Sequence, residues 1–434
     1  MLGACGRLRV GMKVIADFHV HSRYSMACSK TITIKGLGAE AGGKGINLIG
    51  TGDFTHPLWM EEIKESLVPG EEDGVFKVKG MESGASFVLS SEVSTISRDS
   101  GKVRKVHHCI LASGIGPAES INAGLKRYGN LRSDGRPTLL MSPAELAGLV
   151  FDSDSDAFLF PAHIWTPYFG VLGSISGFDS IDEAYGDMAK RVYALETGLS
   201  SDPKMNWRVS SLDRFTLISN SDMHSLFKLG REANIFEMER PSYSRAIKAI
   251  KEKDAAVFKG TIEFYPEEGK YHNDGHRGCG FSADPGKGKA ELCPVCGNPP
   301  VIGVMHRIND LADRAPGFVP EGRPPYVNIV PLAEVISHAI GKGQYSSSVS
   351  AIYGRLLRRF GTEFAVLMEA DTETISKESE RSIGDSIYNM RHNKVRITAG
   401  YDGVYGRIDL LEAGDPPSAR KGKAVRNQKG LAEF

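Results

Sequence analysis

Nowhere in the 434 residues does an apolar run approach the roughly 18 residues that a membrane-spanning helix needs, and Met1 to Gly11 lacks the apolar block of a secretion signal. No membrane association is expected, and the chain is placed in the cytoplasm. Net charge is also missing. The 53 Lys and Arg balance the 53 Asp and Glu, so there is no general attraction to phosphate, and any nucleic-acid binding must come from local basic patches. Cysteine is scarce, six in all, and without a secretion signal this argues against a disulfide framework. Three of the six, Cys279, Cys293 and Cys296, cluster late in the chain, which points to metal instead. Apolar residues make up 41%, enough for ordinary buried cores in two or three domains. Met12 is as good a start as Met1, because a strand begins directly after it, and residues 1–11 read as an extension.

What is present begins with the apolar run Val14-Ile15-Ala16, which leads into Asp17-Phe18-His19-Val20-His21. In an extended strand alternate side chains share a face, so Asp17, His19 and His21 fall on one side, Phe18 and Val20 on the other. Two imidazoles on one strand face make half a metal site. The pattern then recurs. Ile46 to Gly52 ends at Asp53, with His56 close behind; Ser86 to Ser91 ends at Glu92; Lys105-Val106 leads to His107 and His108. Ala157 to Ala162 ends at His163, Val192 to Leu195 at Glu196, and Phe215 to Ser221 at Asp222, with His224 two places on. Strands separated by helical segments read as repeated βα units, and an α/β barrel assembles its site from polar residues at the C-terminal ends of its strands. His107 and His108 point to opposite faces of one strand, so one of them is expected to bind metal, and His108, sharing a face with Val106 and Ile110, is favoured.

Two motifs mislead. Gly38 to Lys44 fits most of a phosphate-binding loop, but Gly45 stands where Ser or Thr should hold magnesium and a strand follows where a helix is required, so the stretch reads as the end of a helix. Asp152, Asp154 and Asp156 lack the glycine and distal glutamate of a calcium loop and read as a solvated loop.

Past a helical stretch near Tyr243 to Lys253 the composition changes. Cys293-Pro-Val-Cys296-Gly297 is a zinc-knuckle signal, since two thiolates on one tight turn supply two tetrahedral ligands and the glycine permits the turn. His276 and Cys279 mirror that pair and complete a four-ligand structural zinc site, with His272 in reserve. Pro316 to Pro325 reads as a linker. Beyond it Leu332, Val335, Ile336 and Ile340 share one helical face, as do Ile352, Leu356 and Phe360, which predicts a helical subdomain. Its basic cluster, Arg355, Arg358 and Arg359, reads as a solvated helix face. Ile397 to Gly406 reads as a turn-rich strand pair, and from Ala413 the tail has the composition of disorder.

The His-x-His strand, Glu92, the His107-His108 pair, His163 and Asp222-x-His224 together resemble the motif series of the polymerase-and-histidinol-phosphatase (PHP) superfamily. More narrowly, Asp17 to Ser25, Gly50-Thr-Gly-Asp53, Pro161-Ala-His163, Asn220 to Ser225, the two late Cys/His pairs and Val304-Met-His-Arg307 resemble the endonuclease Q family. The chain departs from many superfamily members in having Phe54 where a histidine follows Asp53, which favours Asp53 over His56 as a ligand. The resemblance implies an α/β fold: a distorted (β/α)₇ PHP barrel over residues 12–258, a zinc-knuckle module over 259–305, a mainly helical domain over 306–412 and a flexible basic tail over 413–434. It implies two or three divalent cations (Zn, Mn or Mg) in the barrel, besides one structural Zn.

The expected activity is metal-dependent phosphodiester hydrolysis in DNA. Cations can bind the scissile phosphate, lower the pKa of a water and stabilise the leaving oxygen. His19, His21, Asp53, Glu92, His107 or His108, His163, Asp222 and His224 are the expected ligands; Asp222, Glu92 and Asp53 are the catalytic carboxylates, and Arg23 steadies the phosphate. The narrower resemblance implies nicking on the 5′ side of a deaminated base (uracil, hypoxanthine, xanthine) or an abasic site, with Trp165, Tyr168 and Phe169 as stacking candidates. A small-molecule phosphatase would share the barrel but has no need of the zinc module and helical half. An inactive zinc-containing DNA-binding protein would not keep the ligand series. In the tail, Gln428, Leu431 and Phe434 have the spacing of a peptide that docks on the replication sliding clamp, although this chain stops after one aromatic where that motif has two.

Overall fold

A computed structural model describes residues 11–81, 84–287 and 291–411; the proposed clamp peptide at Gln428, Leu431 and Phe434 lies outside the described residues. The fold is mixed α/β, built on a large central sheet of eleven strands among the described residues. Its centre is a run of short strands buried on both faces, as the unbroken apolar runs require. β1 (Met12–Asp17) lies parallel to β2 (Leu48–Gly50), and β2 parallel to β3 (Ser86–Asp99). Between β1 and β2 the helix Ile34–Lys44 is capped by the Thr33 side chain and ended by Gly45 in the left-handed region (φ 91°), so the phosphate-loop look-alike is a helix terminus.

β3 and β4 (Lys102–Ala112) form a long antiparallel hairpin. Ser100 and Gly101 both have positive φ (50° and 81°), which matches the twist of a two-residue hairpin turn and sets Asp99 opposite Lys102. That turn fixes everything upstream: Glu92 stands opposite Cys109, and Ser94 opposite His107. β5 (Phe158–Pro161) pairs antiparallel with β4. β6 (Ala194–Glu196) and β7 (Thr216–Ile218) are a separate parallel pair. Backbone bonds lead round the ring from Ile164 N–H to the Glu196 carbonyl (3.1 Å) and from Thr197 N–H to that of Ile218 (2.9 Å), and the isolated Val20–Met223 bridge returns the path to the end of β1.

β8 (Ala233–Met238) runs antiparallel to β1, and β9 (Phe258–Glu263) antiparallel to β8. β10 (Tyr326–Asn328) joins β9, so the sheet reaches across the boundary expected at residue 258. The later part is largely helical, with helices Leu332–Ile340, Ser347–Phe360 and Arg381–Arg391, before a strand pair at Arg396–Thr398 and Arg407–Asp409. Leu332, Val335, Ile336 and Leu356 are buried, as their spacing demands. A buried ion pair ties this part to the first. Lys44 meets Glu363 at 2.8 Å, and the carboxylate also accepts from Tyr353 Oη (2.7 Å) and Leu332 N–H (2.9 Å). No helix among the described residues is long and apolar enough to cross a membrane.

Candidate metal centre

β1 ends at Asp17, and His19 and His21 follow it as extended backbone rather than inside a strand. Tertiary bonds pin them: Phe18 N–H donates to Asn220 Oδ1 (2.8 Å), and His21 N–H to the Met223 carbonyl (3.2 Å). Asp17 serves elsewhere, accepting from the N–H groups of Ser221 and Gly230 (3.1 Å each), and burial raises its pKa to about 6.

Around Glu92 the side chains converge from both directions. One carboxylate oxygen, Oε2, lies 3.1 Å from His21 Nε2 and 3.4 Å from His19 Nε2, and Asp222 Oδ1 lies 3.0 Å and 3.6 Å from the same two nitrogens. The other oxygen, Oε1, lies 2.9 Å from His107 Nδ1 and 3.2 Å from His163 Nε2. Glu92 therefore faces two donor sets, His19, His21 and Asp222 on one side and His107 and His163 on the other, each with its atoms within 4.8 Å of one another. His224 lies at the rim, its ring 4.7 Å from that of His21 and its Nδ1 2.9 Å from the Asp222 carbonyl.

The rear nitrogens are held as metal-binding imidazoles require, by carboxylates that fix tautomer and orientation. His19 Nδ1 meets Glu196 at 3.0 Å, and His21 Nδ1 meets Asp53 at 3.1 Å. The fit to a cation rests on His19 Nε2, which is buried, aimed into the cluster and without a hydrogen-bond partner. Imidazole nitrogens with carboxylate oxygens suit Zn, Mn or Fe. The acidic groups around His19 and His21 make the site strongly negative, a balance that a bound cation would offset. Burial opposes a charge on His19, but the facing Cys109, Glu196, Glu92 and Asp222 outweigh it and hold the pKa well above the ordinary value. For His21, Asp53 leads the same reversal. Burial, with Arg136 and His163 adding to it and Glu92 opposing, takes His107 down to about 3, which favours the neutral imidazole. Three non-glycine residues here, Asp53, His163 and Asp222, have left-handed φ of 45°, 32° and 45°, the kind of backbone strain that packed surroundings must hold.

Three expectations need correcting. Asp53 does not face the donor sets: one oxygen holds His21 Nδ1, the other accepts from Ser22 N–H (2.7 Å) and Ser25 Oγ (2.8 Å), so it positions a ligand. His108, the favoured member of its pair, points away, with Nδ1 2.7 Å from Tyr185 Oη and Nε2 2.9 Å from Thr95 Oγ1; the hairpin register puts His107 on the Glu92 face. Arg23 pairs with Glu62 (2.5 Å) beside Glu61 and Glu65, where a phosphate would be repelled. The guanidinium at the cluster is that of Arg136, 3.2 Å from Glu92 Oε2, and no motif marked it. Glu196 stood at a strand end in the sequence without a role, and Cys109, grouped with His19 and Glu196, was not singled out. His56 stacks on Tyr24 (4.2 Å) outside the cluster. Of the stacking candidates, Trp165 is buried and donates to Asn206 Oδ1 (2.8 Å), Phe169 stacks on His107 (4.3 Å), and Tyr168 is exposed.

A second cluster stands apart. His276, Cys279, Cys293 and Cys296 bring four donor atoms within 4.8 Å of one another, with Cys296 Sγ 3.1 Å from His276 Nδ1. Each pair is followed by a glycine in the left-handed region, Gly280 (φ 63°) and Gly297 (φ 73°), as tight knuckle turns demand. His272 is buried and takes no part.

A family model described as the MJ0043 C-terminal domain matches residues 331–394. MJ0043 of Methanocaldococcus jannaschii, itself uncharacterised, is 33% identical over 257 residues, 57% of this chain, which spans 31% of that protein's length. The uncharacterised YqxK of Bacillus subtilis is 28% identical over 416 residues, 91% of this chain and 99% of that one. Among solved structures, the lesion-specific endonuclease PfuEndoQ from Pyrococcus furiosus superposes with a TM-score of 0.81 at 33% identity, covering 92% of this chain and 95% of that one. An endonuclease Q complex with a 27-mer duplex carrying an abasic lesion at the active site gives 0.80 at 33% identity over 92% and 97%. Fold and site thus define a metal-dependent phosphodiesterase, a hydrolase whose clustered imidazoles and carboxylates could hold divalent cations. The chain belongs to the endonuclease Q family.

Proposed function

We propose that this protein is a DNA-repair endonuclease that hydrolyses the phosphodiester on the 5′ side of a deaminated base (uracil, hypoxanthine or xanthine) or an abasic site. The observation that carries the reading is the likeness to a lesion-specific endonuclease over 92% of the chain, far more than the metal cluster's part of the fold alone. The cyclic strand path through β1 to β7 supports reading the first part as a distorted seven-stranded barrel, with its site at one rim.

Two divalent cations would be held by His19, His21, Glu92 and Asp222 on one side and by Glu92, His107 and His163 on the other, with zinc in the His276, Cys279, Cys293 and Cys296 module. Such cations bind the scissile phosphate, lower the pKa of an attacking water and stabilise the leaving oxygen. The chain's own groups do the rest. Glu196 and Asp53 fix the rings of His19 and His21, and Arg136 brings a fixed positive charge to the place where phosphate oxygens would lie. The Cys/His module has no carboxylate and closes on four protein donors, so its role is structural.

The test is a labelled duplex carrying one uracil, hypoxanthine or abasic site beside an undamaged duplex, with manganese, magnesium or zinc, and a simple phosphomonoester in parallel. Lesion-dependent, metal-dependent nicking is expected. Turnover of the phosphomonoester without any nick would replace this reading with a small-molecule phosphatase.

A further inference from the structure

The stretch after His163 forms a tight projection over one end of the metal cluster. His163 Nδ1 meets Thr166 Oγ1 at 2.8 Å, the Phe169 carbonyl accepts from His107 N–H at 2.9 Å, and the Phe169 ring stacks on the His107 ring. Its neck is closed by Ile175 N–H on the Pro167 carbonyl (3.0 Å) and Ser176 Oγ on the Tyr168 carbonyl. A Cβ at Gly173 would fall 2.2 Å from the Thr166 carbonyl oxygen, so the backbone folds closely on itself here and needs glycine. On this hydrogen-bonded base two large apolar side chains are exposed, Tyr168 by 49% and Ile175 by 57%. The backbone segments that carry them are bonded across the neck, and Lys105, whose backbone N–H bonds the Ser176 carbonyl (3.2 Å), holds its ammonium 5.6 Å from the Phe169 ring.

Tyr168 is exposed on a loop whose neighbouring residues bond His107 and His163, so an apolar group that met its ring would lie beside the metal cluster. The occupant that the neighbouring chemistry selects is duplex DNA, because the lesion-bearing nucleotide must leave the stack to bring its phosphate to the metal centre, and the gap it leaves is lined by base faces. Side chains that fill such gaps are large, apolar and rigidly carried, with a cation beside them for the backbone. Resting on the nuclease reading above, we infer that Tyr168 inserts into the base stack beside the lesion, with Ile175 supporting its ring and Lys105 against the flanking phosphates. It is a positioning residue: it touches neither the reacting phosphate nor the metal ligands.

The experiment compares nicking of two duplexes by the full chain. In one, uracil is paired and stacked; in the other it lies in a mismatched bubble whose bases are already unstacked. Tyr168→Ala should lower nicking of the paired duplex about tenfold or more relative to the bubble, the scale of one base–aromatic stack. Tyr168→Phe, which keeps the ring, should restore the wild-type ratio. Equal loss on both duplexes, or no loss on the paired one, overturns the insertion and leaves the nuclease reading standing. If the unaltered chain nicks neither duplex, the nuclease reading fails, and the inference with it.

Discussion

The two Cys/His/carboxylate clusters of this chain are built on opposite principles. The first buries its donors except for the partly exposed Asp222, mixes imidazole with carboxylate, shares Glu92 between two sets and backs its histidines with further carboxylates. The second uses three thiols and one imidazole on two short turns, partly exposed, with no shared donor. A site that must admit a phosphate needs coordination positions left open and a charge balance tuned by residues behind the ligands; a site that only ties two turns together needs four donors and two glycines. The difference shows in what each costs the chain. The first draws on seven segments far apart in sequence and tolerates strained φ at three residues. The second is contained within 21 positions, His276 to Cys296.

The comparison breaks first at Glu92. Glu92→Gln should take nicking to background and lower the divalent-metal content of the first cluster, with zinc in the second unchanged and the melting temperature close to wild type; nicking that survives would show that no shared carboxylate is needed. Cys293→Ser should do the reverse. One zinc per chain is lost, the module loosens and the melting temperature falls, while the first cluster keeps its metals; an unchanged zinc count would remove the four-donor assignment. Asp53→Asn sharpens the role of the groups behind the ligands. Because Asp53 acts through His21, the expected loss in metal affinity is about 10- to 100-fold, short of that from losing a ligand, and abolition of metal binding would return Asp53 to the ligand set. The smallest effect belongs to His108→Ala, which loses buried hydrogen bonds to Tyr185 and Thr95 worth about 1–3 kcal/mol of stability and leaves metal content intact, whereas His107→Ala lowers it.

Much of this was legible in the chain because strand-end polar residues and knuckle spacings are local signals. His19, His21, Glu92, His163 and Asp222 each close an apolar run, and they meet in the fold. What escaped depends on register and on loops. The preference for His108 came from one strand taken alone; pairing the strands about a Ser100-Gly101 turn puts His107 with Ser94 and hence with Glu92, and that signal was present in the sequence. Arg23 lay close to the first histidines in sequence, but Glu62 captures it. Arg136 lies in a loop with no motif, and only tertiary packing brings it to Glu92. Asp53 was read as a ligand at the end of an apolar run, yet which way its carboxylate turns is decided by Ser22 and Ser25.

Stepwise chelation tests the central claim most directly, with metal content and nicking of a uracil-containing duplex followed in the same samples. The first cluster, with mixed imidazole and carboxylate donors, should lose its cations before the closed thiolate site, so nicking should vanish while one zinc per chain is still bound, and return when manganese or magnesium is added. Nicking that persists with only that one zinc left, or that disappears only as the last zinc departs, would contradict the division of the two clusters into a catalytic and a structural site.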